Sequence, residues 1–312
     1  MALRLEVAAA ASFDGRVARR LDRGAGAVTV VHAYQGAARR TLRSAARCGA
    51  LGVLEVTSLH HHARGAGGFD QIYPTRLLDR VEDGVTAELA EADVLVVPSE
   101  HVAAAVRHRC GAGARIVVAP YGVDLGFESS APDVSGPPVE RHGLVLVSSV
   151  SSLKGLWVLV QALDLLADEG HPTVDVRVLG PGGREPGLDR ALREHPWIEV
   201  RGQVDRESVR RAMAGARALV FPSLGDSFGR VQVEALACGT PVLASDACGA
   251  VVTEGCGAVH PAGDAARLAA DIKALLDGSL PTSEDACRGR ARAFTWEGFV
   301  ESLADAYARV PS

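Results

Sequence analysis

Residues 221–242 read FPSLGDSFGRVQVEALACGTPV. The run Ala218, Leu219, Val220, Phe221 has strand character and stops at Pro222 and Ser223. A short loop carries Asp226, and a helix opens near Phe228 and Gly229. It closes at Cys238, before Gly239 and Pro241, because Gly just past a helix and Pro soon after it are stop signals. The helix is nearly all apolar (Val231, Val233, Ala235, Leu236, Ala237), so it is expected to be buried. Glu234 sits inside it, and a carboxylate there is costly unless something pairs with it. Asp226 lies eight residues earlier. One carboxylate therefore meets free backbone N–H groups at a helix N-terminus, with a second about two turns further on. Free N–H groups and the helix dipole favour a phosphate, which leaves Glu234 to accept from sugar hydroxyls. The plainer alternative is a buried helix with Asp226 or Ser227 as its N-cap and Glu234 paired in the core.

In this arrangement the stretch resembles the donor motif of retaining GT-B glycosyltransferases, glycosyltransferase family 4 in particular. Members of that family carry a Glu, seven residues and a second Glu in a context like EGFGxxxxEAxAxGxPV. Phe228, Gly229, Glu234, Ala235, Gly239, Thr240 and Pro241 match, and Asp226 stands where the first Glu is expected. The resemblance implies a nucleotide sugar as donor. Glu234 would bind ribose hydroxyls and Asp226 the hydroxyls of the sugar. Phe228, Gly229 and Arg230 would face the diphosphate.

Further stretches follow the order of the same family. Ala92-Asp93-Val94 to Pro98-Ser99-Glu100 resembles its "AD-apolar strand-PS" segment. Val118-Ala119-Pro120-Tyr121-Gly122-Val123-Asp124 resembles a "VxPNGVD" loop, with Tyr121 for Asn, and Gly122 is expected to take a positive φ. Leu144 to Val160 resembles a strand, loop and helix bearing a "GR…KG" signature: Lys154-Gly155 opens the helix, and Ser149 stands where an Arg is common. A Lys at that place reaches a diphosphate as a point charge. Arg201-Gly202-Gln203-Val204 corresponds to a segment that holds the nucleobase through backbone groups, so Gly202 and Val204 are donor-site candidates while the base itself stays unread. A His after the second strand sits near the transferred sugar in the family. His60 aligns best, with His61 and His62 as alternatives and His32 as a further candidate. Phe294-Thr295-Trp296 and the helix to Tyr307 resemble the family's closing "FSW" helix.

Other chemistries are disfavoured. Val178-Leu179-Gly180-Pro181-Gly182-Gly183 is close to a dinucleotide fingerprint, but Glu185 occupies the third glycine position and Pro186 follows. There is no Asp-x-Asp, no Gly-x-Ser-x-Gly and no Walker A loop. Consecutive histidines do not converge on one ion, so no metal site and no cofactor are expected. The six cysteines are scattered without a Cys-x-x-Cys, which suits a reducing cytosol. No run of 18 apolar residues is present, and the start is a poor signal peptide. A cytoplasmic location is expected.

The chain has 312 residues, 47% of them hydrophobic, and a net charge of −5. Residues 1–50 carry nine Arg and no Lys against Glu6, Asp14 and Asp22, a balance of +6 that leaves −11 for the rest. Exposed helix faces account for such a run. The sharper reading is a basic face for an anionic acceptor or a membrane surface. Few aromatics and an acidic total speak against nucleic acid.

Strand-length apolar runs alternate with helix-length amphipathic ones. In the first half the strands are expected at Ala27–Val31, Val53–Val56, Val94–Val97 and Ile116–Ala119, with helices near Val17–Leu21, Ala37–Cys48, Leu77–Ala92 and Val102–Arg109. A polar, Pro-rich linker from Pro120 to His142 separates a second half with strands at Leu144–Val147, Val174–Leu179, Ile198–Val200, Ala218–Phe221 and Pro241–Ala244. Alternation of this kind implies parallel sheets covered on both faces. The expected fold is α/β, with two Rossmann-like doubly wound domains facing across a cleft. One spans residues 1–130, completed by a helix over 292–312, and the other spans 140–290. Little precedes Phe13-Asp14, where the resembled family has a strand, a glycine-rich loop and a helix. The N-terminal half is therefore expected to be short and to be completed by a homodimer partner, an anionic membrane or an upstream segment.

The function these readings imply is transfer of a sugar from a nucleotide-sugar donor to a glycan, lipid-linked or small-molecule acceptor, with retention and without metal. His60 and Asp226 are the candidate catalytic residues. Ser149, Lys154, Gly202, Val204, Phe228, Gly229, Arg230 and Glu234 are the candidate donor ligands. The alternatives are a nucleotide-sugar 2-epimerase and a non-catalytic binder of a nucleotide sugar or glycan.

Overall fold

The structure is a computed structural model that describes residues 2–24, 28–57, 75–110, 115–124, 141–183, 185–249 and 251–308. Its contacts divide the chain into two compact units. One runs to Pro120 and takes back the segment from Glu297, and the other spans Tyr121–Trp296.

The first unit holds four strands, β1 (Val30–Tyr34), β2 (Leu51–Glu55), β3 (Val94–Val97) and β4 (Ile116–Val118), in one parallel sheet of order β1-β2-β3-β4. The helices between them are α2 (Arg39–Arg47), α3 (Thr75–Glu91) and α4 (Glu100–Cys110), preceded by α1 (Ala2–Arg23). The order advances one way only, so right-handed crossovers place α2, α3 and α4 on one face. Leu42, Val85, Leu89, Val102 and Val106 pack there against Leu54, Val56, Leu95 and Val97. The alternate strand residues, Leu51, Val53, Val94 and Val96, point to the other face. The closing helix covers them with Phe299, Leu303, Ala306 and Tyr307. Both faces are thus buried, which is why the strands read as continuous apolar runs.

Two expectations about this unit need correction. The first strand is Val30–Tyr34 rather than Ala27–Val31, because pairing with β2 in the register Val30↔Leu51 to Tyr34↔Glu55 carries it through His32 and Tyr34. The first helix is 22 residues long rather than a turn near Val17–Leu21. Leu5–Phe13 is the first half of that helix. That alanine-rich segment has neither Gly nor Pro, and Asp14, which follows it, ties the helix to α2. The buried Asp14 carboxylate accepts from the N–H of Arg40 and of Thr41, both at 2.8 Å. From the opposite side the buried Glu88 accepts from the N–H of Gly36 (2.6 Å) and Ala38 (2.9 Å). The N-cap residue of α2, Ala38, makes no side-chain cap bond of its own. Two carboxylates from neighbouring helices supply what a local cap would, an interaction typically worth about 1 kcal/mol.

The second unit is a six-stranded parallel sheet. Its strands are β5 (Leu144–Val147), β6 (Val176–Leu179), β7 (Ile198–Gly202), β8 (Ala218–Phe221), β9 (Val242–Ser245) and β10 (Gly257–His260), in the order β10-β9-β8-β5-β6-β7. The helices are α5 (Leu156–Asp168), α6 (Pro186–Glu194), α7 (Arg206–Ala214), α8 (Arg230–Ala237), α9 (Ala265–Leu276) and α10 (Glu284–Ala291); the closing helix α11 (Trp296–Ala308) comes next in the chain and belongs from Glu297 on to the first unit. Strand residues alternate between two cores: Leu144, Leu146, Val220 and Leu243 face α5, α6 and α9, while Val145, Leu219, Val242 and Ala244 face α7, α8 and α10. This half is doubly wound. Strand β10 and helix α10 were not expected from the sequence. Gly257-Ala258-Val259-His260 has little strand character alone and is recruited by pairing with β9, while α10 is set by the Ser283 cap, whose hydroxyl accepts from Ala286 N–H at 3.0 Å.

Gly122 does not take the positive φ expected of it. Its constraint is space: a Cβ there would overlap the main chain at Thr295 and Trp296. The loop and the closing motif are pressed together, and Val123 N–H donates to Phe294 O at 3.1 Å. Among the described residues no helix is long and apolar enough to cross a membrane.

Candidate functional site

In the second sheet β5 and β8 are neighbours, yet the chain leaves β5 towards β6 and leaves β8 towards β9 on the other side. Ligands of open α/β sheets bind outside the carboxyl ends of the strands where the order reverses in this way. Two loops meet there. One follows β5 through Ser148 and Ser149 into a 3₁₀ turn, Ser152–Lys154. The other follows β8 from Pro222 into α8. They are bonded to each other: Leu224 N–H donates to Leu153 O at 2.8 Å, and Ser223 Oγ donates to the same oxygen at 3.2 Å. Gly155, at φ +71°, allows this approach, since a Cβ would overlap the carbonyl oxygen of Pro222. Glu185 holds the turn from the other side, accepting from Ser152 N–H at 2.9 Å and from the Ser152 hydroxyl.

The loops enclose a cavity of about 380 Å³ lined by Tyr121, Val147, Ser148, Ser149, Lys154, Phe221, Asp226, Ser227, Phe228, Gly229, Arg230, Val231 and Glu234. Helix α8 begins at Arg230, after the expected opening near Phe228 and Gly229. Gly229 is its N-cap, at φ +68° and without a side-chain cap bond, so neither Asp226 nor Ser227 caps it. The first bond of this turn runs from Gln232 N–H to Gly229 O at 2.9 Å. The N–H groups of Arg230 and Val231 precede it and have no acceptor within the helix. At the far end, Gly239 N–H to Leu236 O (2.8 Å) and Thr240 N–H to Ala235 O (2.9 Å) close the helix as a Schellman motif, with Gly239 at φ +73°.

Lys154 and Asp226, 72 residues apart, form an ion pair of 2.5 Å between Nζ and Oδ2. Asp226 Oδ1 accepts from Phe228 N–H at 3.3 Å. Its own N–H donates to Ala247 O at 3.0 Å. Glu234 is half-buried on the face of α8 next to the buried Gln232, Val233 and Ala235. Its carboxylate makes no ion pair or hydrogen bond with another described residue, while its main-chain O accepts from Cys238 N–H at 3.2 Å. Burial raises its pKa above the ordinary 4.5, and the charges of Arg230 and Arg206 partly oppose that. The site therefore offers a cation, an exposed second cation in Arg230, two free N–H groups with the helix dipole behind them, and two carboxylates. This set can bind an anion next to a polyol.

Of the residues singled out in the sequence, Ser149, Lys154, Asp226, Phe228, Gly229, Arg230 and Glu234 share this cavity. Gly202 and Val204 are not in its lining. Gly202 ends β7 and accepts from Gly180 N–H at 2.8 Å, while Val204 packs partly buried against the core. His60, His61 and His62 lie outside the described residues. His32 is in the first unit, with Nδ1 2.5 Å from the Tyr307 hydroxyl and Nε2 3.3 Å from the buried Glu55. Tyr121, Val147, Ser148, Phe221, Ser227 and Val231 line the cavity without having been singled out as ligands. Only Tyr121 carried a signal, as the residue in place of Asn. Its ring meets Phe228 edge-on at 5.9 Å. Three buried thiols are poor nucleophiles: burial pushes Cys238 up to about 11 and Cys248 and Cys287 up to about 12. The described residues contain no group of His, Cys, Asp and Glu able to hold a metal ion.

Two family models match the chain in succession: that described as Glycosyltransferase Family 4 over residues 3–127, and that described as Glycosyl transferases group 1 over residues 141–278. A phosphatidyl-myo-inositol mannosyltransferase of Mycobacterium leprae is 35% identical over 207 residues, covering 64% of this chain and 54% of the relative. A D-inositol 3-phosphate glycosyltransferase of Xylanimonas cellulosilytica is 31% identical over 248 residues, covering 71% and 58%. The chain thus spans just over half the length of these curated relatives. Among solved structures, Anabaena Alr3699/HepE in complex with UDP has a TM-score of 0.71 at 17% identity, covering 95% of this chain and 81% of that one. A sucrose-phosphate synthase from Thermosynechococcus elongatus has a TM-score of 0.70 at 23% identity, covering 90% and 73%.

Proposed function

This chain belongs to the group 1, family 4 glycosyltransferases of GT-B fold, and on that premise we propose that it transfers a sugar from a nucleotide-sugar donor to a hydroxylated acceptor. The observation that carries the reading is the convergence of Lys154, the N-terminus of α8, Asp226 and Glu234 at the point where the strand order of the second sheet reverses. Lys154, Arg230 and the N–H groups at the start of α8 take the diphosphate. Glu234 accepts from the ribose hydroxyls, and Asp226 from hydroxyls of the sugar. Negative charge develops on the diphosphate as the glycosidic bond breaks, and fixed donors aimed at it stabilise that charge without a metal. His60 contacts the transferred sugar by the family resemblance, and retention of configuration follows from the same source.

The names of both relatives contain an inositol compound, phosphatidyl-myo-inositol in one and D-inositol 3-phosphate in the other. An inositol phosphate or its lipid conjugate would suit the arginine-rich first fifty residues. The cytosol, where nucleotide sugars are made, is the proposed location.

The test is thermal stability of the purified chain against UDP, GDP, ADP and dTDP, followed by donor hydrolysis or transfer with the matching nucleotide sugar. A ligand at ~100 times its dissociation constant adds about 2.7 kcal/mol, and one nucleotide is expected to raise the unfolding temperature clearly above the others. Four flat curves would remove the donor-site reading. Binding without any turnover would favour a non-catalytic binder.

A further inference from the structure

We propose that Asp226 is an internal competitor of the donor diphosphate, so that Lys154 changes partner when a nucleotide sugar binds. The inference rests on the donor-site reading above. One carboxylate spans two of the groups an incoming phosphate would use: Oδ2 is 2.5 Å from Lys154 Nζ, and Oδ1 accepts from Phe228 N–H at 3.3 Å, just ahead of α8. Carboxylate and phosphate oxygens make the same charge-assisted bonds, so the two anions compete for one cation. They cannot share it without cost, because a phosphate oxygen in contact with Lys154 would lie close to Oδ2, and like charges at such range repel strongly in a partly buried site. Lys154 and Asp226 are both mostly screened from water, at 26% and 16% side-chain exposure. The other charged groups of the cavity are Arg230 and Glu234. With them the site is neutral before any ligand enters, and Lys154 is already committed.

The geometry also says how the exchange happens. Asp226 N–H is held by Ala247 O at 3.0 Å, so the main chain is fixed and the carboxylate leaves by rotating about its own side-chain bond. A nucleotide sugar compensates this movement, since its sugar hydroxyls can donate to the displaced carboxylate. A nucleoside diphosphate lacks the transferred sugar, and its ribose hydroxyls are taken by Glu234, so it offers the displaced carboxylate no such donor. Asp226 therefore discriminates donor from product: it lets go of Lys154 for the first and recaptures it from the second, which speeds product release.

The experiment is titration calorimetry of wild type, Asp226→Asn and Lys154→Ala with the nucleoside diphosphate that stabilises the wild type and with its nucleotide sugar. Asp226→Asn removes the competing charge and keeps the shape. It is expected to bind the nucleoside diphosphate at least tenfold more tightly than wild type and the nucleotide sugar no more tightly, with stronger product inhibition in turnover. Asp226→Glu, which restores the carboxylate, should return the diphosphate affinity towards the wild-type value. Should the amide variant fail to fold, Asp226→Ser keeps an oxygen for Phe228 N–H and should shift affinity the same way. Unchanged or weaker diphosphate binding in folded Asp226→Asn, beside a wild type that binds, overturns the inference alone. A wild type that binds none of the four nucleotides overturns the donor-site reading, and the inference with it.

Discussion

Gly155→Ala is expected to destabilise the second unit by about 2–5 kcal/mol, because left-handed backbone costs an L-residue about 1–2 kcal/mol and the new methyl adds an overpacking cost of about 1–3 kcal/mol. Gly155 sits at φ +71° against the carbonyl of Pro222, where two loops are bonded through Leu153 O. Pushing them apart moves Lys154 relative to α8, so nucleotide binding should fall together with stability. Gly170→Ala is the matched control. It has a similar φ of +73° but nothing within 4 Å of its added Cβ, so only the backbone cost of about 1–2 kcal/mol applies. Urea unfolding of both variants separates the two contributions. If Gly155→Ala unfolds no earlier than Gly170→Ala, the loops are not locked to each other and the site is softer than described.

Lys154→Ala and Glu234→Gln should each weaken nucleotide-sugar binding by about 1.5–3 kcal/mol, the usual worth of a charge-assisted hydrogen bond, or roughly 10- to 150-fold in Kd. Their effects on folding should differ. Burial holds the Glu234 pKa above the ordinary 4.5, only partly offset by Arg230 and Arg206. A group raised in this way gives its full contribution to stability below its unfolded pKa and loses it as pH rises through the folded value. At pH 7 the ionised carboxylate is thus a cost that glutamine does not carry. Glu234→Gln should therefore melt above wild type at pH 7 and lose most of that advantage near pH 4, while binding donor poorly at both. A variant that binds as well as wild type, or that is less stable at pH 7, would place Glu234 in a structural role instead. Such opposition of stability and binding is the pattern expected of a carboxylate kept for a ligand.

The donor-side constellation was legible because it is local. Asp226, Gly229, Glu234 and Gly239 lie within fourteen consecutive residues, and helix start and stop rules fix their relative positions. What lies across the cavity was less legible. Lys154 could be placed at the mouth of a helix, but its pairing with Asp226 joins residues 72 apart and belongs to the strand order, which no spacing reports. Tyr121, Ser148 and Ser227 are walls whose residue types have many ordinary uses. Gly202 and Val204 were drawn in as backbone ligands, a role that leaves no side-chain signature. Strand β10 and the full length of α1 escaped for a different reason. Neither carries a strong period or cap of its own, and each exists through a partner, β9 in one case and α2 through Asp14 in the other. In both, tertiary context overrides weak local propensity.

The return of the closing helix to the first unit has a consequence for biosynthesis. Phe299, Leu303, Ala306 and Tyr307 complete the apolar layer against Leu51, Val53, Val94 and Val96, and Arg115 reaches across to donate to Ala306 O at 3.0 Å. These partners are separated in the chain by the whole of the unit spanning Tyr121–Trp296. A ribosome translating this message releases the N-terminal sheet long before it makes the helix that covers one of its faces. Since domains generally form as their residues emerge, the order is inverted here: the unit encoded second has all of its residues first. Until then the nascent N-terminal sheet shows a bare apolar face, the kind of transiently exposed surface that chaperones exist to protect.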